Sequence, residues 1–179
     1  MSCRVILAFS SEKNIENFAD VLDRHGITVN CRCRTGQDVI AAIQETGSGV
    51  AICGPDFPDM AAEDLPLWVD EPSAFLILGT EQEISDCGAA NIFTMSMPVK
   101  GGELSGAVMM LIQLVDRKAR LLSRAILKDD ELTITKAQNV LMKKTRITED
   151  QAMEYIRRKS METSAKMAEV AAVILKTLG

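Results

Sequence analysis

The chain has 179 residues, 25 acidic and 20 basic, for a formal net charge of −5. With 47% hydrophobic and 25% charged residues it has the composition of a folded globular protein, not a disordered one. No apolar run approaches the roughly 18 residues that cross a bilayer, and Met1-Ser2-Cys3-Arg4 shows no secretory cleavage pattern, so a cytoplasmic protein without a membrane partner is expected.

The charge is unevenly spread. Residues 1–100 carry 15 acidic and 6 basic side chains, whereas residues 101–179 carry 10 acidic and 14 basic. An acidic half joined to a basic half suggests two units with different partners, the basic one facing a polyanion. The five cysteines (Cys3, Cys31, Cys33, Cys53 and Cys87) all lie in the acidic half. Cys31-Arg32-Cys33 is not a zinc-ligand spacing, and the single His25 has no companions at a metal-site interval. Neither metal nor cofactor is expected, and the thiols read as reduced, buried small hydrophobes.

In chain order, Arg4-Val-Ile-Leu-Ala-Phe9 is a short apolar run suited to a strand buried on both faces. Residues 14–25 place Ile15, Phe18, Ala19, Val21 and Leu22 at helical spacing, and Gly26 closes that helix as a left-handed cap. Ile27–Cys31 is read as a second strand, and Val39, Ile40 and Ile43 mark a second amphipathic helix ending at Gly47. Gly49–Cys53, Phe75–Leu78 and Asn91–Thr94 complete five strands, with short helical stretches between them. Strands alternating with helices call for a parallel sheet covered on both faces, an α/β flavodoxin-like domain over residues 1–100.

After Pro98 no further strand signal follows. From Gly101 to Leu127 the sequence reads as one long helix, in which Leu104, Val108, Leu111, Val115, Leu122 and Ala125 recur at steps of four and three, interrupted by Lys118. This pattern predicts a coiled-coil linker over 101–128 and a homodimer, with Leu104, Val108, Leu111, Val115 and Leu122 as the pairing residues. Merely covering the edge of the sheet is the alternative for its first half.

Three short amphipathic helices follow and predict an all-α bundle over 129–179. Leu132–Lys144 carries Ile134, Ala137, Val140 and Leu141; Thr148-Glu-Asp-Gln151 opens the next helix as a capping box; Ser164 is read as the cap of the last, whose stripe is Met167, Val170, Ala171, Ile174 and Leu178. Basic side chains gather in two clusters, Lys143, Lys144 and Arg146, then Arg157, Arg158 and Lys159, with Lys136 upstream. Converging on one face, they would supply phosphate contacts, and Tyr155, one turn from Lys159, is either a core residue or a platform for a base.

The first half resembles the receiver domain of two-component response regulators, from residue 4 to about 115. That resemblance implies an acidic pair after the first strand, a phosphorylatable Asp after the third, a Thr or Ser after the fourth and a Lys before a Pro after the fifth. Here Ser10 and Ser11 stand in place of the acidic pair, Gly54 in place of the acceptor, and Met97, before Pro98, in place of the Lys. Thr80 keeps a hydroxyl near the switch position. Asp56 and Asp59, further along, are expected to cap the next helix or face water. The expectation is a degenerate phosphorylation site and a non-enzymatic pseudo-receiver.

The second half is similar to the ANTAR domain, the RNA-binding output domain of transcription antitermination regulators. The matching segments are Ile134-Thr-Lys-Ala137-Gln-Asn-Val-Leu141-Met142, Ile147-Thr-Glu-Asp-Gln-Ala152, Tyr155-Ile-Arg-Arg-Lys-Ser-Met161 and Met167-Ala-Glu-Val170-Ala171. Family members often carry Lys-Gly where this chain has Gln138-Asn139. The resemblance implies a dimer that binds paired stem-loops in a leader mRNA and excludes a terminator hairpin. Lys136, Lys143, Lys144, Arg146, Tyr155, Arg157, Arg158 and Lys159 are then the candidate RNA-binding residues. It also implies control by a ligand-sensing regulatory protein, as in the amidase-operon member of the family. A DNA-binding response regulator and a non-catalytic dimeric scaffold are the alternatives. Only Lys166 and Lys176 would equip a recognition helix for DNA.

Overall fold

The computed structural model describes residues 4–179; Cys3 lies outside the described residues. The chain divides into two compact units, one running to Arg120 and the other from Leu121 to Gly179. No helix among the described residues is long and apolar enough to cross a membrane.

The first unit is built on strands β1 (Arg4–Ala8), β2 (Cys31–Cys33), β3 (Gly49–Cys53), β4 (Ser73–Gly79) and β5 (Ile92–Ser96). They are all parallel, in the order β2-β1-β3-β4-β5. Helices α1 (Glu12–Arg24), α2 (Gly36–Thr46) and α3 (Glu81–Ile84), with a 3₁₀ turn at Ala62–Trp68, make the crossovers. Side chains alternate across the central strands. Val5, Leu7, Val50, Ile52, Leu76 and Leu78 face one way and meet Ile15, Ala19 and Leu22 of α1. Ile6, Ala8, Ala51, Cys53, Phe75 and Ile77 face the other way and meet Val39 and Ile43 of α2 and Leu65 of the 3₁₀ turn.

The long helix α4 runs without a break from Gly101 to Thr145. Its first turns bury Leu104, Val108, Leu111 and Val115 in the same layer as α1. This corrects the expected pairing seam: those four side chains are consumed by the sheet and cannot meet a twin. It also carries the first unit past residue 100. Of the expected pairing residues, Leu122 stays exposed. No separate helix starts at Leu132, because Lys128-Asp-Asp-Glu131 contains neither Pro nor Gly and continues the helix.

The second unit packs the C-terminal part of α4 against α5 (Glu149–Thr163) and α6 (Met167–Leu178). Ala137 and Leu141 of α4, Ala152 and Ile156 of α5, and Val170, Ala171 and Ile174 of α6 form its core. Thr148 caps α5 as expected, its hydroxyl accepting the Gln151 N–H at 3.3 Å while Gln151 Oε1 accepts the Thr148 N–H at 3.0 Å. Ser164 does not cap α6. It ends α5 with φ 52°, and Glu169 caps α6 by accepting the Lys166 N–H at 3.0 Å.

Two further departures concern β2 and Asp59. Ile27 is buried, but as part of the turn leaving α1, and the ladder begins only at Cys31 because the Asn30 side chain accepts the Val5 N–H at 2.9 Å ahead of it. Asp59 caps no following helix. It reaches back to α2, where its two carboxylate oxygens accept the N–H groups of Gly36 (2.9 Å) and Gln37 (3.0 Å). A Cβ at position 36 would press on the Met60 side chain, which would have to shift to admit it. Those donations, Gly36 first, hold the Asp59 carboxyl below its ordinary pKa. A lowered folded-state pKa gives stability that is present above the ordinary carboxylate range and lost as pH falls through the folded value. Asp59→Asn should therefore melt a few degrees lower at pH 7, and in thermal scans the difference between the two proteins should shrink as the pH falls below the ordinary carboxylate range.

Candidate nucleic-acid interface

The cation clusters of the second unit are set by helix geometry. Lys143 and Lys144 occupy the last turn of α4, where their charges oppose the negative end of the helix dipole. Arg146 follows with φ 56°, its N–H donating to the Met142 carbonyl at 3.0 Å. This left-handed closure is one that glycine adopts freely and an L-residue adopts at a cost. All three side chains are exposed, as is Lys136 two turns upstream.

Arg157, Arg158 and Lys159 are consecutive, and residues one apart on a helix point about 100° apart. The expected convergence of the two clusters on one face is corrected to that extent. Arg157 and Arg158 stand on the exposed side of α5, while Lys159 is half-buried and turns toward α6. The rise from Thr148 to Arg157 places this run roughly 14 Å along α5 from the α4–α5 turn that holds the first cluster. Glu162 moderates both neighbours, with Lys159 Nζ at 2.7 Å and Arg158 Nε at 3.7 Å. The Lys159 bond holds the Glu162 carboxyl below its usual pKa, and the Lys159 ammonium is raised in turn. Arg157 enters neither of these pairs.

Tyr155 combines the two roles left open by its spacing. Its ring is half-buried against the bundle core, and the Arg158 guanidinium lies 5.8 Å from its centroid. It also walls a groove of about 460 Å³ between α5 and α6, together with Lys159, Val170, Val173 and Ile174. The groove was not legible from the sequence; an apolar Val173 left in solvent is its only trace. Gln138 is buried rather than exposed on the surface of the bundle.

In the first unit, the ends of the strands bring Ser10, Gly54, Thr80 and Met97 to one cavity of about 350 Å³. Ser11 is the residue before α1 and caps it with backbone only. The crevice beside β1 and β3 is where open parallel sheets place ligands. A magnesium ion there would need a cluster of carboxylate oxygens; the wall supplies only Asp56 and a Glu83 already bonded to Thr80, and these do not fit one. Phe9 and Phe18 stack in the cavity with ring centroids 4.9 Å apart, and a Cβ on Gly54 would lie 3.4 Å from the Phe9 ring. Glu83 is committed to Thr80, accepting its N–H at 2.7 Å and its hydroxyl at 2.8 Å, which lowers the Glu83 pKa and ties up the switch hydroxyl. Asp56 is exposed in the Pro55–Ala62 turn, and Asp59 is occupied at α2. Among the described residues no three His, Cys, Asp or Glu side chains are grouped to hold a metal.

Among the described residues, Cys31, Cys33, Cys53 and Cys87 lie on the α2 side of the sheet. Burial pushes the Cys33 and Cys53 thiols up to about 12, which leaves little thiolate near neutral pH.

Comparisons with known proteins agree with this anatomy. The ANTAR domain family matches residues 118–175. Among solved structures, the chain is similar to the signal receiver domain of a protein described as a Luxo repressor from Vibrio parahaemolyticus. The two are 18% identical over 68% of this chain and 98% of that one, with a TM-score of 0.55. It is likewise similar to a response regulator receiver protein from Sinorhizobium medicae WSM419, 15% identical over 64% of this chain and 97% of that one, with a TM-score of 0.52. A third is the signal receiver domain of an HD domain-containing protein from Pseudomonas fluorescens Pf-5, 14% identical over 66% and 93%, with a TM-score of 0.55. No curated protein matches the chain. At such identities the structural likenesses establish the fold, which is that of response-regulator receivers. In this chain that fold is followed by the segment, residues 118–175, that matches the ANTAR domain family.

The left-handed turn at Arg146 yields a stability test that needs no ligand. Arg146→Gly should raise the thermal unfolding midpoint by a few degrees, whereas Arg146→Ala, which keeps the unfavourable φ, should not.

Proposed function

We propose that this protein is a cytoplasmic, dimeric, RNA-binding transcription antitermination regulator. Its second unit binds paired stem-loops in a leader mRNA, so that the competing terminator hairpin does not form. The observation that carries this reading is the ANTAR match over residues 118–175, on a bundle that exposes Lys143, Lys144, Arg146, Arg157 and Arg158. Cations at the α4–α5 turn and along α5, separated by roughly 14 Å, suit the phosphates of a folded loop, while the Tyr155 groove suits a base splayed from it. A dimer holding two such bundles makes capture of the second stem-loop intramolecular and raises avidity without new contacts.

The first unit acts in this reading as a non-enzymatic pseudo-receiver. A cavity walled in part by the Phe9–Phe18 stack, with Gly54 at the acceptor position and Met97 in place of a Lys, leaves its Asp56 without an acidic pair or a counter-charge to support phosphotransfer. Control then comes from a partner, and a ligand-sensing regulatory protein is the class proposed.

The decisive measurement is fluorescence anisotropy with a two-loop leader RNA and with duplex DNA of equal length, across a salt series. The RNA should bind far more tightly. Arg157→Glu with Arg158→Glu should weaken RNA binding at least a hundredfold and flatten the salt slope by about two phosphate contacts, with an unchanged circular dichroism spectrum. Equal affinity for RNA and DNA would reduce the activity to general polyanion binding and reject the proposal. In parallel, incubation with acetyl phosphate and magnesium should leave the intact mass unchanged; a stoichiometric acid-labile adduct would restore phosphorylation as the switch.

A further inference from the structure

The strand order β2-β1-β3 sends the chain off the ends of β1 and β3 toward opposite faces of the sheet, α1 covering one and the Ala62–Trp68 turn the other. The crevice that opens where neighbouring strands part in this way is where parallel sheets hold ligands. Its volume of about 350 Å³ lies at the lower end of the roughly 300–1,000 Å³ of small-molecule sites, room for a compact solute. Gly54 helps to keep it open, since a Cβ at that position would already lie 3.4 Å from the Phe9 ring.

The lining decides the chemistry of that solute. Part of it is apolar and polarizable: Phe9, only 5% exposed, stacks on Phe18, and Leu78 and the Met97 thioether extend the surface. Another part is anionic, supplied by Asp56 and Glu83. Glu83 is committed to the N–H and hydroxyl of Thr80, which leaves Asp56 as the charge on offer. No Lys, Arg or His among the described residues lines the cavity, and Arg34 donates its guanidinium to the Ser10 backbone carbonyl at 3.4 Å. A phosphate here would meet like charge, and a hard divalent ion would lack its set of oxygens. A weakly hydrated organic cation satisfies both parts of the lining. Its charge pairs with a carboxylate, and its C–H groups lie against rings whose faces are electron-rich.

We propose that this cavity binds a small alkylammonium compound, its nitrogen at the Asp56 carboxylate and its alkyl body against Phe9, Phe18 and Met97. The proposal rests on the non-enzymatic reading of the first unit and is independent of RNA binding. It gives that unit a small-molecule input of its own, beside the partner protein proposed above.

Calorimetric titration of the full-length protein without RNA tests it, with n-butylammonium and tetramethylammonium chloride as probes. The neutral 1-butanol, inorganic phosphate and magnesium chloride serve as comparisons. At least one ammonium probe should saturate with a Kd of about 1 mM or tighter, while the three comparisons should show no saturation up to about 10 mM. Asp56→Asn, a change at an exposed side chain that leaves the core intact, should weaken ammonium binding at least about tenfold. Phe18→Leu, which keeps an apolar wall without the ring, should weaken it roughly fivefold. Glu45→Gln, which removes an exposed charge from the last turn of α2, should bind as the wild type does. Saturation by neither ammonium probe, unchanged affinity in Asp56→Asn, or equal binding of 1-butanol or phosphate would overturn the proposal. An acid-labile adduct on Asp56 after incubation with acetyl phosphate and magnesium would overturn it together with the non-enzymatic reading. Failure of ammonium binding in a protein that forms no such adduct would reject the proposal alone.

Discussion

The structure turns on the burial of one helical stripe. Leu104, Val108, Leu111 and Val115 close the α1 side of the sheet, and each such side chain contributes roughly 1.5–3 kcal/mol when taken out of water. Without them, Val5, Leu7, Val50, Ile52, Leu76 and Leu78 would be covered by α1 alone. The commitment is also exclusive, because an apolar side chain packed in a core cannot serve a partner. The same helix goes on to lend Ala137 and Leu141 to the second core. Its middle, from Leu121 to Leu132, is left with apolar side chains that neither core absorbs.

A second constraint operates at the ends of the strands. A receiver needs a concentrated set of carboxylates, which repel one another and are tolerable only when a cation binds among them. This chain has removed the repulsion at its source, with serines after β1, glycine after β3 and an aromatic stack in the cavity wall. The acids that remain nearby have found local hydrogen bonds: Glu83 with Thr80, Asp59 with the first turn of α2. Each of those bonds favours the ionised carboxylate without a metal, so the unit keeps the receiver fold while needing none of its chemistry for stability.

Much of this was legible in the sequence wherever the signal was local. β3 falls on Gly49–Cys53, Gly26 and Gly47 take the left-handed φ their positions required, and Thr148 with Gln151 forms its capping box. What escaped depends on distance along the chain. Periodicity at steps of four and three marks an apolar face but not what covers it, so Leu104–Val115 read as a seam although the sheet had claimed them. Asp59 lies 23 residues from the N–H group it caps, and no window around it reveals that. Ser164 has the side chain of an N-cap but sits one step early, in the turn that ends α5. The charged run at Lys128–Glu131 looked like a break because charge resembles a loop, yet these residues propagate a helix well.

The basic runs carry the same lesson into function. Read as a string, Arg157-Arg158-Lys159 is a cluster of three positive charges; on a helix it is two outward guanidiniums and one ammonium drawn toward a groove. Glu162 then sits between Arg158 and Lys159 as a resident competitor for any incoming phosphate. Exposed pairs of this kind are worth at most about 1 kcal/mol, so a phosphate backed by several contacts displaces the carboxylate easily, whereas an isolated one gains little by doing so. Glu162 thus penalises ligands that touch α5 at a single point. Under the proposed function, a folded RNA loop that spans the roughly 14 Å to Lys143, Lys144 and Arg146 while placing a base beside Tyr155 would escape that penalty, and a featureless polyanion would not. The specificity proposed for the bundle then rests on how its cations are spaced and partly neutralised, more than on how many there are.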